Sequence, residues 1–388
     1  MIFIASLHLF FLSSVFAINY ILTPKENTNP SLASFYNLEP LVSFNGEFVL
    51  YTSHSDHLHK NRNVLSQLYD IEEDQVIHLD SVESVNFVVD SVVGNFIENV
   101  PWHLDRISKK KLPLNNTFPY ATSGSCHENK DVIIDSYIVD TGIDIEHPQF
   151  EKRAVWSANF ADELDTDCNN HGTHVAGLIG SKDFGVCVDA NLFAVKVLDC
   201  DGSGSLSGVI KGIEWVFLKH LEKSKSQSKT IKSIINMSLG GGFSKALNKA
   251  VETCINKDNH FYIVVAAGNE NKDACFTSPA SANSVITVMA SDDEDNNAWF
   301  SNWGKCANIY APGVNLASTI PGDNTAIYSG TSMASPVVAG VLNHYLDMYP
   351  QHNQKQMIQI LDKLSSKNVI RVQKSNTINN LVYLNRMF

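Results

Sequence analysis

Residues 131–142 read DVIIDSYIVDTG. Apolar side chains fall at successive as well as alternate positions (Ile133, Ile134, Tyr137, Ile138, Val139), so a strand here would be apolar on both faces. A strand covered on both faces belongs in a parallel sheet flanked by helices. The run ends on a carboxylate, Asp140, and then on the turn pair Thr141-Gly142. Functional groups in open α/β sheets gather beyond the carboxyl ends of strands, which makes Asp140 the first candidate.

The pattern repeats downstream. HGTHVAGLIG (171–180) reads as a small-residue helix and NLFAVKVLD (191–199) as a strand. SLSGVIKGIEWVFLKHL (205–221) carries Val209, Ile213, Val216 and Phe217 at helical spacing. Strand KSIINMSLG (232–240), helix SKALNKAVETCIN (244–256) and strand FYIVVAAGN (261–269) follow. SVITVMAS (284–291) and CANIYAPG (306–313) read as further strands, and SMASPVVAGVLNHYLDMY (332–349) as a buried helix. This alternation predicts an α/β fold, a mostly parallel central sheet with helices on both faces. KHLEKSKSQSKTIK (219–232) is basic and of low complexity and reads as a solvated surface loop.

Residues 18 to about 95 differ in character. INYILTPK and SVNFVVDSV alternate like strands, and HKNRNVLSQLYD between them reads as a helix, giving a small α+β unit. His54, His57 and His59 lie close together in HSDHLH, but no cysteine or carboxylate completes a convincing metal-ligand set. The first 17 residues carry no charge and end on Val15 and Ala17, as a secretory signal peptide cut after Ala17 would; such a route permits disulfides. The formal charge of −12 speaks against nucleic acid as a partner, since phosphate binding needs a basic face. No other run is apolar enough to span a bilayer, so no membrane contact is expected once the leader is gone.

Two further polar residues stand where this architecture gathers chemistry. His171 opens its helix next to Gly172, and Ser332 opens the last helix among small neighbours, SGTSMASP (329–336). A serine hydroxyl is a poor nucleophile until an imidazole takes its proton, and the imidazole needs a carboxylate to hold its tautomer. At a helix N-terminus the unpaired backbone N–H also faces a developing oxyanion. Asn269, just past another strand end, offers a side-chain amide for the same purpose. Taken singly, Asp140 could be a turn residue, His171 a helix-start residue and Ser332 an N-cap. An esterase of the α/β-hydrolase type would need its serine in G-x-S-x-G and the order Ser, Asp, His; here the serine lies in GTSMA and the order is Asp, His, Ser. A non-catalytic scaffold would have no use for all four residues together.

Six segments in order, YIVDTGIDIEHPQF, NHGTHVAG, NMSLGGG, VVAAGNENKDAC, FSNWGKC and GTSMASP, resemble the subtilisin-like serine peptidases, in particular the proteinase K and cerevisin branch. The resemblance covers about residue 98 to the C-terminus. It implies a subtilisin-like three-layer fold, with Asp140, His171 and Ser332 as the catalytic triad and Asn269 as oxyanion donor. It also implies that Gly202, Ser203 and Gly204 on one side, and Ser238, Leu239 and Gly240 on the other, flank an extended polypeptide substrate. Backbone pairing of that kind gives broad specificity. Ala266, Ala267 and Gly268 would wall the pocket for the residue before the cut; with no charge there, an apolar or aromatic side chain is expected.

By the same resemblance, residues 1–17 are a signal peptide, 18–96 a ferredoxin-like propeptide acting as chaperone and inhibitor, and 97–388 the catalytic domain of a monomeric, secreted endopeptidase. Delivery to a vacuole or lysosome-like compartment is the alternative. The cut is expected a few residues before Pro101. Cys168–Cys200 and Cys275–Cys306 match pairs bridged in some relatives, and a cis peptide is expected before Pro279; Cys126, Cys187 and Cys254 are left without assigned partners. No catalytic cofactor is implied. Relatives often hold a structural calcium with an aspartate where Asn308 stands, and an amide weakens a hard-cation site. The acidic stretches DELDTD and SDDEDNN read as solvated loops. Many relatives carry cysteine where Val175 stands, so low sensitivity to thiol reagents is expected near the site. Asn115, in NNT, matches a glycosylation acceptor.

Overall fold

A computed structural model describes residues 19–46, 48–79, 100–118, 126–371 and 374–385. Residues 1–17, expected to be a signal peptide, the stretch SVNFVVDSV, expected to be a strand, and the expected cut near residue 97 lie outside the described residues.

The N-terminal unit runs β1 (Asn19–Pro24), α1 (Ser31–Phe35), β2 (Glu39–Phe44), β3 (Phe48–His54), α2 (Ser55–Leu68) and β4 (Tyr69–Glu73). Its antiparallel sheet has the order β2-β3-β1-β4, a ferredoxin-like βαββαβ arrangement. Strand alternation splits its apolar residues between two faces. Tyr20 and Leu22 pack with Leu58 and Leu65 of α2, while Ile21, Val42, Phe44 and Leu50 face the larger unit.

The chain then forms β5 (Val76–His78), α3 (Trp102–Ile107), β6 (Val132–Asp140), β7 (Ala154–Asn159), α4 (His171–Gly180), β8 (Asn191–Lys196), β9 (Ser203–Ser205) and α5 (Leu206–Ser226). Next come β10 (Thr230–Met237), β11 (Gly241–Gly242), α6 (Lys245–Lys257), β12 (Phe261–Ala266), β13 (Thr277–Ser278), β14 (Ile286–Ser291) and β15 (Ile309–Pro312). The hairpin β16 (Leu316–Ile320) and β17 (Asn324–Tyr328), then α7 (Thr331–Met348), α8 (Gln354–Leu364), β18 (Ser366–Lys367) and β19 (Asn380–Leu381) complete it. The central sheet has nine strands in the order β18-β19-β15-β14-β12-β10-β6-β8-β7, parallel except for the β18–β19 pair. The doubly apolar run of β6 lies between β10 and β8: Ile134 and Ile138 pack toward α4 and α7, Tyr137 and Val139 toward α5 and α6. Each such side chain, fully buried, contributes about 1.5–3 kcal/mol.

Of the basic segment 219–232, only residues 227–229 form a loop; the rest belongs to α5 and β10. α5 continues to Ser226, and Lys223 in its last turns bonds Asp135 at 2.5 Å and lies over the ring of Phe193. These tertiary partners hold a stretch whose composition alone looks unstructured.

The N-terminal sheet sits on α5 and α6, and its carboxylates meet their N-termini. Asp74 accepts from Ser207 N and Oγ (2.8 and 2.6 Å), and Glu72 accepts from Ala246 N (2.7 Å). Unpaired amides and the helix dipole favour negative charge at both places. Burial holds the Glu72 carboxyl above its ordinary value.

Candidate active site

β6 delivers Asp140 to the carboxyl end of the central sheet, beside the N-terminus of α4. The carboxylate is fully buried; its Oδ1 accepts from Thr141 N and from His171 Nδ1, each at 2.8 Å. With Nδ1–H donated to an acceptor-only group, the lone pair of His171 lies on Nε2. The imidazole is 12% exposed, enough to meet a substrate while held from below. It reaches this position because α4 packs directly on the turn after Asp140. A Cβ on Gly172 would stand 2.1 Å from Gly142 O, so only glycine fits there.

The loop before His171 is ordered by Asp167. Its Oδ1 accepts from Thr141 Oγ1 (2.8 Å), Asn169 N (3.1 Å) and Asn170 N (2.9 Å), and its Oδ2 from Thr173 N (2.8 Å) and Thr173 Oγ1 (2.6 Å). Thr141 Oγ1 in turn accepts from Gly172 N at 2.9 Å, tying the aspartate turn to the histidine helix. Beneath them the buried Lys196 donates to Thr141 O (3.1 Å) and Leu198 O (2.8 Å) and pairs with Asp162 (3.3 Å).

Ser332 sits in the first turn of α7. Pro336 lies four residues on and has no N–H, so it leaves the Ser332 carbonyl without its helical partner. Ser238 Oγ donates to that carbonyl at 2.8 Å, while Ser332 Oγ donates to Ser238 O at 3.1 Å. The nucleophile candidate is thereby fixed against the end of β10. Asn236 supports the pair from behind, donating to Ser238 Oγ (3.0 Å) and accepting from Ser335 Oγ (2.7 Å). Thr331 orients Asn269: its N and Oγ1 both donate to Asn269 Oδ1, at 2.8 and 2.9 Å, and its Oγ1 accepts from Gly268 N at 3.1 Å. With its oxygen so engaged, what Asn269 offers a ligand is Nδ2. Asn302 holds the same turn, accepting from Glu270 N and Lys272 N and donating to Ala267 O.

Between β9 and the Ser238–Gly240 segment runs a groove, filled by the chain's own β5. Val76 pairs with Ser205, Ile77 with Gly204 and His78 with Ser203, all antiparallel. His78 and Gly240 bridge from the other side, each amide 3.4 Å from the other's carbonyl. Leu79 N donates to Gly202 O at 3.0 Å, and the Leu79 side chain covers Gly202. Gly202, Ser203, Gly204 and Gly240 thus pair an extended strand. Leu239, Ala266 and Ala267 are buried next to them.

Residues 130–380 match the Subtilase family model of peptidases. That is well over half of the chain, and it contains Asp140, His171, Asn269 and Ser332. The chain belongs to the subtilase family. Cerevisin of Saccharomyces cerevisiae is 46% identical over 268 residues, 68% of this chain and 41% of cerevisin. Subtilisin-like protease 7 of Arthroderma benhamiae is 49% identical over 245 residues, 63% of this chain and 58% of that protein. The match therefore spans about half the length of such relatives. A solved cold-adapted subtilisin-like serine proteinase superposes with a TM-score of 0.67 at 37% identity, covering 74% of this chain and all of that one.

In this subtilase Cys168 is joined to Cys200, Cys275 to Cys306, and Cys126 to Cys187. The last pair tethers the segment before β6 to the loop after α4. Cys254 is buried and unpaired, and burial pushes its thiol well up. The Ser278–Pro279 peptide is cis. Asn308 Oδ1 accepts from Thr287 N at 2.6 Å, which turns this amide toward β14. The acidic stretches are likewise engaged within the chain. Asp295 binds Arg106, Asp292 accepts from Glu294 N and Asn296 N, and Asp167 orders the loop before His171. Among the described residues no helix is long and apolar enough to cross a membrane. The supporting roles of Asp167, Lys196, Ser238, Thr331 and Asn302 escaped the sequence reading; all but Lys196, a lone charge in a strand, lie within or beside a motif.

Proposed function

We propose that the chain is the zymogen of a serine endopeptidase. One observation carries this reading: a buried carboxylate fixes the tautomer of an imidazole that opens α4, and α4 packs against α7, whose first turn holds the serine. His171 Nε2 takes the Ser332 Oγ proton as the oxygen attacks the scissile carbonyl. Asp140 stabilises the imidazolium that forms. The oxyanion is met by Ser332 N–H, which has no intrahelical acceptor, and by Asn269 Nδ2. A side-chain donor of this kind contributes about 10²–10³ in rate, a magnitude known from subtilisin itself. His171 then protonates the leaving amine, and water repeats the sequence on the acyl-enzyme. No cofactor enters these steps. The uncharged walls at Ala266, Ala267 and Gly268 favour an apolar or aromatic residue before the cut.

The N-terminal unit is the inhibitor, because β5 lies where a substrate strand belongs. His78 stands opposite Gly240, so an antiparallel strand continuing two residues further comes opposite Ser238, whose carbonyl holds the Ser332 hydroxyl. In this register the bond after Asp80 is the candidate cut, well upstream of the position near residue 97 read from the sequence; the backbone pairing of β5 aligns that bond, so this cut within the chain does not require the apolar residue favoured in other substrates. The disulfides support an oxidising site of action, outside the cell or in a vacuole or lysosome-like compartment.

The test is fluorophosphonate labelling of the purified chain, read by peptide mass spectrometry and N-terminal sequencing, with His171→Ala as control. Label on Ser332 in a species beginning at Ser81, absent from the control, is expected. A processed, folded chain without label would overturn the peptidase reading; a mature terminus near residue 97 would overturn the register argument alone.

A further inference from the structure

The groove continues beyond the part that β5 fills. Past Gly240 the wall runs on as β11, which pairs antiparallel with β13, Gly241 opposite Ser278 and Gly242 opposite Thr277. The next residue on each strand is aromatic and open to solvent: Phe243 is 59% exposed and Phe276 69%. Phe243 and Phe276 thus stand one step beyond the last residue pair of this wall, and two exposed phenylalanines so placed offer apolar surface at its end.

The N-terminal unit does not use that surface fully, because its chain turns away there. Gln75 N bonds Glu73 O at 2.8 Å and Asp74 N bonds Asn19 O at 2.9 Å, which draws the backbone back into β4. What remains is the Gln75 side chain, whose Nε2 lies 3.4 Å from Gly242 O. Nearer the cut, by contrast, Ile77 is fully buried, its Cδ1 2.8 Å from where a Cβ on Gly241 would stand. A substrate strand not bound into a sheet of its own would run straight on. In the register that sets His78 opposite Gly240, the residue level with Phe243 is three places further upstream, at position 75.

We propose that Phe243 and Phe276 form an additional substrate subsite, which receives an apolar or aromatic side chain six residues before the scissile bond. The assignment rests on the peptidase reading and on its register. Both rings are uncharged and offer faces and edges to another ring or an aliphatic side chain. A polar residue there gains nothing from them. The subsite makes the enzyme favour unfolded stretches with two apolar anchors, one directly before the cut and one upstream.

The experiment uses the processed enzyme and three fluorogenic substrates. Two are eight-residue peptides that differ only in Phe or Ser six places before the cut; the third covers only the four residues before it. The readout is kcat/KM for each long peptide divided by that for the short one, so a general change in activity cancels. In the wild type the Phe peptide is expected to exceed the Ser peptide about fivefold, the yield of one aromatic contact. In the Phe243→Ser/Phe276→Ser double variant the two are expected to converge. Equal ratios in the wild type, or a preference that survives in the double variant, would overturn the subsite. Cleavage of the short substrate by Ser332→Ala would overturn the peptidase reading beneath it.

Discussion

Replacing Asp167 by asparagine removes one charge and turns one acceptor into a donor, with almost no change in volume. The carboxylate receives five hydrogen bonds, three at Oδ1 and two at Oδ2. The least damaging placement sets the new NH2 at the Oδ2 side. There the Thr173 hydroxyl can turn and accept, but Thr173 N–H faces a donor, and a buried unsatisfied amide costs about 1–3 kcal/mol. The three bonds at the other oxygen pass from charge-assisted to neutral, at about 1 kcal/mol each. The sum is about 4–6 kcal/mol before relaxation. Part of it appears as lost stability and part as misplacement, since Thr141 and Gly172 in this network adjoin Asp140 and His171. A shift near 1 Å in such a pair costs on the order of 100-fold. Denaturant unfolding and steady-state kinetics on a short chromogenic peptide read the two parts separately. The expectation is a stability loss of at least ~2 kcal/mol, with kcat reduced about 100-fold and KM changed far less. A variant within about threefold of wild-type kcat and ~1 kcal/mol of its stability would refute the view that this carboxylate frames the site.

Three other outcomes follow from the structure. Arg106 makes a bidentate pair with Asp295, 2.6 and 2.9 Å, with its guanidinium wholly buried; Asp295→Ala alone should cost about 3–5 kcal/mol in chemical unfolding, and Arg106→Leu added to it should restore part of the loss. Burial holds His103 down to about 4 and His174 down to about 3, the latter aided by the nearby His171, so both are neutral in the fold and protonate on unfolding. Their contribution is whole above pH ~6.5 and falls as pH drops toward these values, by about 4 kcal/mol together at pH 5; thermal unfolding that is flat from pH 7 to 5 would contradict it. Met333 is buried beside Ser332, and its sulfoxide would crowd the oxyanion position; peroxide should abolish activity, and full activity with Met333 shown oxidised by mass spectrometry would refute this.

The sequence by itself determined the sheet and singled out the residues proposed to carry the chemistry. Doubly apolar runs such as 131–140 can be satisfied only between two layers of helices, and Asp140, His171 and Ser332 each sit at the end of an element whose period is visible locally. Short-range signals also fixed the N-terminus of α7 and the close approach at Gly172. Tertiary structure decided what depends on partners far away in the chain. The last turns of α5 are helical because Asp135 and Phe193 hold Lys223. Cys126 meets Cys187 across 61 residues, a pairing no spacing rule selects. Asp167 looked like one more acid in a solvated stretch until the fold wrapped five donors around it. The strand that fills the groove was least legible of all. Val76–His78 has no pattern that distinguishes it from its surroundings, and its position comes from backbone hydrogen bonds to Gly204 and Gly240, more than 120 residues downstream. Hydrogen bonds between backbones carry no side-chain signature, so only the folded chain reveals where they form.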